Sequence, residues 1–87
     1  MIAVSLPSQL QAYAAGASRV LAKGDTIDEA LRDLDAQFPG IRFRIIDEQD
    51  RIRRHIRLFV GMEATHDINT RLGDGDALLV FGALSGG

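Results

Sequence analysis

Leu72-Gly73-Asp74-Gly75-Asp76-Ala77-Leu78-Leu79-Val80-Phe81, followed by Gly82-Ala83-Leu84-Ser85-Gly86-Gly87, is the stretch around which the rest of the chain has to be arranged. Gly73 to Asp76 alternates glycine with aspartate, the chemistry of a compact turn. Ala77 to Phe81 is a short apolar run bounded by turn residues, and its length predicts a buried strand. Past Phe81 the residues become small and finish on two glycines. Glycine brings no side-chain bulk, so an end of this kind can thread a channel too narrow for other residues. A frayed end is the plain alternative reading. The expected division is a domain of residues 1–81 and a flexible tail of residues 82–87.

Working back from that strand, Ile52, Arg54, Ile56, Leu58 and Val60 alternate with Arg53, His55, Arg57 and Phe59, which predicts a central strand over Ile52 to Val60. At the other end, Ile2, Val4 and Leu6 alternate with small residues and Pro7 closes the segment, which predicts a terminal strand. Ser8 to Gly16 reads as a connection anchored by Leu10 and Tyr13, and Ser18 to Lys23 as a second short strand. Thr26 and Glu29 have capping-box spacing, so a helix is expected to start there. Ile27, Ala30, Leu31, Leu34 and Phe38 form its apolar stripe, and Pro39-Gly40 ends it. Ile41 to Ile46 fits either a strand or a short second helix. The order suits an α+β roll with one main helix on a mixed sheet of four to five strands, the first and last strands side by side in the middle.

At 87 residues there is room for one small core and no deep cleft, so a self-contained enzyme is not expected. A hydrophobic fraction of 46% argues against disorder, and a net charge of −2 against a general nucleic-acid binder. The absence of cysteine excludes a disulfide scaffold, a thiolate metal site and a cysteine nucleophile. Five of the nine glycines lie at or after Gly73. No leader and no membrane span is visible, so a cytoplasmic location is expected, with no membrane partner.

An internal active site is not evident. His55 and His66 lie in different elements without partner spacing, and Gly73 to Asp76 carries two carboxylates that would repel a phosphate. Arg42, Arg44, Arg51, Arg53, Arg54 and Arg57 form a basic run, read as a solvated face or a partner-docking surface and not as a nucleic-acid site. With Ile56, Leu58 and Val60 turned inward, Phe59 faces outward beside Arg57 and His55, a composition enriched in interface centres. The alternative is that loops of the chain itself cover that face.

The run from Leu72 to Phe81 together with Ala83-Leu84-Ser85-Gly86-Gly87 resembles the C-terminal signature of the MoaD/ThiS family of ubiquitin-like sulfur carriers. The terminal strand, the helix that starts at Thr26 and the Val60-Gly61 strand end fall in the same order, so the resemblance covers nearly the whole chain. It implies a β-grasp fold. Members often carry prolines after the last strand, where this chain has Gly82-Ala83, and the stretch from Ile41 to Arg54 is longer than in the smallest carriers.

The resemblance implies a chain that is a cosubstrate and not an enzyme. An E1-like enzyme, using ATP and Mg, would adenylate the carboxylate of Gly87, a sulfur donor would convert it to a thiocarboxylate, and a downstream biosynthetic enzyme would take the sulfur. The end product would be cysteine, molybdopterin, thiazole or another sulfur-containing metabolite. Gly86 and Ser85 would thread the partner's channel, and Phe81 and Leu84 would join Phe59 and Arg57 in the partner interface. No cofactor would be bound by the chain itself, and no nucleic acid. A ubiquitin-like modifier joined through Gly87 to lysines, and a β-grasp binding domain with an incidental Gly-Gly, are the competing readings.

Overall fold

The computed structural model describes residues 1–82. Its elements are β1 (Ile2–Ser5), α1 (Ser8–Gln11) running into a 3₁₀ turn (Ala12–Ala14), β2 (Arg19–Ala22), α2 (Ile27–Gln37), α3 (Ile41–Ile45), β3 (Ile56–Val60), β4 (Glu63–Thr65) and β5 (Ala77–Gly82). The strands form one sheet in the order β2-β1-β5-β3-β4. β1 and β5 are parallel at its centre, and an antiparallel hairpin lies on each side. This is the expected α+β roll, a ubiquitin-like β-grasp with five strands.

The strand periodicity divides the sheet into two faces. Ile2 and Val4 of β1, Leu78 and Val80 of β5, and Ile56 and Leu58 of β3 are buried beneath α2. From α2 come Ile27, Ala30, Leu31 and Leu34, all fully buried, at the spacing of a single helical stripe. Full burial of each large aliphatic side chain stabilises the fold by roughly 1.5–3 kcal/mol, so this layer dominates the core.

The start of α2 is secured through its free amides, which a helix cannot satisfy internally. Thr26 Oγ1 accepts from the Glu29 amide at 3.2 Å, and Glu29 Oε1 accepts from the Asp25 amide at 2.9 Å. The capping box therefore forms with its return bond one residue earlier than the usual pattern. The Ile27 and Asp28 amides donate to the carbonyls of Thr70 and Ile68 at 3.1 and 2.8 Å, which ties the segment before β5 to the helix. Gly24 packs so closely against this turn that a Cβ there would lie 2.5 Å from the Ala30 amide nitrogen.

Ile41–Ile45, which fitted two patterns, is helical. Ile41 and Ile45 are one helical turn apart and fully buried, whereas Phe43, which a strand would have placed beside them, is 52% exposed. Gly40 supplies the left-handed entry at φ +99°. Asp35 Oδ1 accepts from the amides of Gly40 and Arg42 at 3.0 and 3.1 Å and fixes the corner.

Three expectations need correction. The central strand begins at Ile56, not Ile52, because Ile52 bridges to Ile46, the Arg53 amide donates to the Ile45 carbonyl, and the chain turns at Arg54 and His55. Tyr13 is not an anchor of the first connection: it is exposed, and Ala14 takes the buried place beside Leu10. At the other boundary, β5 runs through Gly82, the residue with which the tail was expected to begin.

Candidate functional site

β5 places its alternate residues on the face of the sheet opposite α2, where among the described residues no helix packs. Ala77, Leu79 and Phe81 point outward because Leu78 and Val80 point into the core. On β3 the same alternation turns Arg57 and Phe59 outward. The antiparallel register sets Arg57 opposite Phe81 and Phe59 opposite Leu79. Phe59 and Phe81 are diagonal neighbours and meet edge to face, with ring centroids 5.4 Å apart and planes at 88°. On this face Phe81 is 50% exposed, while Phe59 and Leu79 are half-buried.

Arg57 is held at the end of this patch. Its Nη1 donates to the carbonyls of Arg54 and Ile56 at 2.7 and 3.0 Å, and among the described residues it has no carboxylate partner. The structure thus gathers Arg57, Phe59 and Phe81 on one surface beside the end of β5. Gly82, opposite Ile56, is the last described residue. Leu84, Ser85, Gly86 and Gly87 lie outside the described residues.

The opposite end of β5 is built as a turn. Asp76 Oδ2 accepts from the Gly73 amide at 2.7 Å, and the Asp76 amide donates to the Gly73 carbonyl at 3.0 Å. Asp74 pairs with the α-amino group of Met1, whose hydrogen bond and charge hold the Asp74 carboxyl below its ordinary value. Both carboxylates therefore serve the turn and the chain start.

The basic run divides by partner. Arg42 pairs with Asp28 at 2.6 Å and with Asp50 at 3.4 Å, and Arg51 reaches Asp47 at 3.8 Å. Burial pushes the Asp28 carboxyl up, but hydrogen bonds from Arg32 and Arg42, with their charges, outweigh it and hold it below the ordinary value. Arg44 and Arg53 instead stack on aromatic rings, Arg44 on Tyr13 and Arg53 on Phe43. They border a cleft of about 340 Å³ beside the end of β5. Sequence reasoning missed this cleft, since its walls come from three separate segments and no local pattern joins them. Among the described residues no cluster of three or more His, Asp or Glu side chains is placed to hold a metal ion, and no helix is long and apolar enough to cross a membrane.

The described residues hold no assembled set of reacting groups, but they present an apolar and cationic patch beside the strand that leads to the Gly-Gly end. Comparison with known proteins gives that arrangement a context. A sulfur carrier protein CysO of Mycobacterium tuberculosis is 30% identical over 91 residues, which cover 99% of this chain and 98% of that one. A chain in the crystal structure of the Amycolatopsis orientalis BexX/CysO complex superposes with a TM-score of 0.92 at 30% identity, with all of both chains covered. The small archaeal modifier protein 3 of Haloferax volcanii is 34% identical over 65 residues, 71% of this chain and 70% of that protein. The ThiS family model matches residues 4–87, and the chain belongs to that family.

Proposed function

We propose that this chain is a sulfur carrier whose reactive group is the carboxylate of Gly87. The observation that carries the reading is that the central strand β5 leads directly into the Gly-Gly sequence. β5 lies at the centre of the sheet, its outer residues form a patch with Phe59 and Arg57, and five residues beyond Gly82 the sequence ends on Gly86-Gly87. Family membership and the full-length similarity to CysO support the same reading.

The chemistry follows from the weakness of a carboxylate as an electrophile. An E1-like enzyme would join the Gly87 carboxylate to the α-phosphorus of ATP, with Mg held by that enzyme, and release pyrophosphate. The acyl adenylate then has AMP as a leaving group. A sulfide-equivalent donor attacks the acyl carbon, the carbon–oxygen bond to AMP breaks, and a thiocarboxylate remains on Gly87. This anion is a nucleophile near neutral pH and passes its sulfur to a downstream biosynthetic enzyme. The protein's own part is presentation: the sheet holds the patch of Phe59, Phe81 and Arg57 against the partner while Ser85 and Gly86 enter its channel and Leu84 anchors them. The catalytic clefts belong to the partners, and the chain itself requires no cofactor. The BexX/CysO complex is a precedent for a carrier seated on a second protein.

The similarity to a small archaeal modifier protein favours a second reading, in which the activated Gly87 carboxyl forms an isopeptide bond with lysines. Activation is common to both. The test is to incubate the chain with an E1-like enzyme, ATP, Mg and sulfide and to weigh the product. Thiocarboxylate should form on Gly87. Gly86→Val, or one residue added after Gly87, should abolish it with the melting curve unchanged, and normal activation of either variant would refute the proposal.

A further inference from the structure

On the other side of the end of β5 from the aromatic patch lies the cleft of about 340 Å³. Its floor is Leu10, and its walls are Tyr13 from the 3₁₀ turn, Phe43 and Arg44 from α3, and Arg53 and His55 from the turn before β3. Gln9 forms the rim, and its side chain lies against Gly82, since a Cβ on Gly82 would be 2.9 Å from Gln9 Nε2. The cleft therefore opens beside Gly82, the last described residue of β5.

Its electrostatics set it apart from the rest of a chain whose net charge is −2. Among the described residues no Asp or Glu lines it, and neither Arg44 nor Arg53 has a carboxylate within ion-pair distance. Each guanidinium instead lies over an aromatic ring, Arg44 at 4.7 Å from the Tyr13 centroid and Arg53 at 4.4 Å from the Phe43 centroid. Arg53 Nε also donates to the Phe43 carbonyl at 2.6 Å. A guanidinium lying over a ring still has N–H groups that can donate to a carboxylate, apart from the Arg53 Nε already bonded to the Phe43 carbonyl. Two such guanidinium groups flank an apolar floor.

We propose that this cleft is a receptor for an acidic segment of another protein, with an apolar side chain of that segment seated on Leu10, Tyr13 and Phe43 and its carboxylates on Arg44 and Arg53. Leucine and aromatic walls suit a peptide side chain better than a phosphate, and the acidic balance of the whole chain disfavours RNA. Only the further step, that this protein is one acting on the tail, rests on the carrier reading. The cleft shares no lining residue with the Phe59 and Phe81 surface.

The full chain in its carboxylate form can be titrated with a pentapeptide of alternating glutamate and leucine, with NMR as the readout and the glutamine-for-glutamate peptide as control. Signals of Tyr13, Phe43, Arg44, Arg53 and His55 should move, and the glutamine peptide should bind at least about ten-fold more weakly. Arg44→Gln, whose side chain makes no hydrogen bond among the described residues, should weaken the acidic peptide by about the same factor with the remaining spectrum unchanged. Inorganic phosphate should not displace the peptide. Equal binding of the two peptides, displacement by phosphate, tighter binding of a single-stranded RNA, or shifts confined to Phe59 and Phe81 would each overturn the proposal. So would a chain ending at Gly82 whose cleft signals differ from those of the full chain, because the occupant would then be the tail itself. The titration needs no sulfur on Gly87, so failure of the carrier chemistry leaves its result intact.

Discussion

Replacing Phe81 by alanine separates what that ring does for the fold from what it does for a partner. The side chain is half exposed and has one aromatic neighbour, the edge-on ring of Phe59 at 5.4 Å. Half the burial of a phenylalanine is worth about 1 kcal/mol, and an edge-to-face pair adds roughly 0.5–1 kcal/mol. Phe81→Ala should therefore lower stability by about 1–2 kcal/mol, well inside the ~5 kcal/mol or more of a folded domain. As an aromatic anchor at an interface it should cost at least about 2 kcal/mol of binding, or roughly 30-fold in affinity. The assay pairs urea melts with the carrier-concentration dependence of ATP consumption by the E1-like enzyme. A modest shift of the melt with a KM raised about 30-fold is expected. Phe59→Ala should behave alike and be non-additive with it, whereas Met62→Ala, in the turn between β3 and β4, should leave KM unchanged. A Phe81→Ala chain that melts as expected and is activated with unaltered KM would refute the assignment of this face to the activating partner.

Two further outcomes follow from the fold. Gly24→Ala should destabilise the chain by about 1–3 kcal/mol, read in a urea melt, because the new Cβ meets the backbone of α2 and not a movable side chain. Asp28, with its carboxyl held below the ordinary value, contributes stability that is present above the unfolded carboxylate value of about 3.9 and is lost as pH falls through the lower folded value. Asp28→Asn should cost about 1–2 kcal/mol at neutral pH, since it leaves Arg42 with Asp50 alone, and should flatten the acid limb of stability against pH. An unchanged acid limb would remove Asp28 from that account.

The elements legible in the sequence were those with one strong local period. β1 and α2 follow from Ile2 and Val4 and from Ile27, Leu31 and Leu34, because burial on one side leaves a single reading of each; the unbroken apolar run after Asp76 located β5 but predicted it buried throughout, whereas only Leu78 and Val80 are buried and Phe81 is exposed. Ile41–Ile45 was open because Ile41 and Ile45 satisfy a strand alternation and a helical turn alike, and the exposure of Phe43 decides between them. The strand expected from Ile52 was too long because Ile52 is packed through its bridge to Ile46, a tertiary contact that imitates alternation. At the candidate site, the outward pair Phe59 and Arg57 could be read from β3 alone. Its meeting with Phe81 depends on the register of two strands separated by the whole β4 connection. The arginine run was visible, but its division between ion pairs and stacked rings was not, since Tyr13, Phe43 and Arg53 are neighbours only in space.

The most direct test of the carrier account is the intact mass of the chain purified from its native cell under non-reducing, alkylant-free conditions. The account predicts a population in which one oxygen is exchanged for sulfur, with the change confined to the last residue in fragmentation spectra. A chain found only with its unmodified carboxylate, or only joined through Gly87 to lysines of larger proteins, would contradict it.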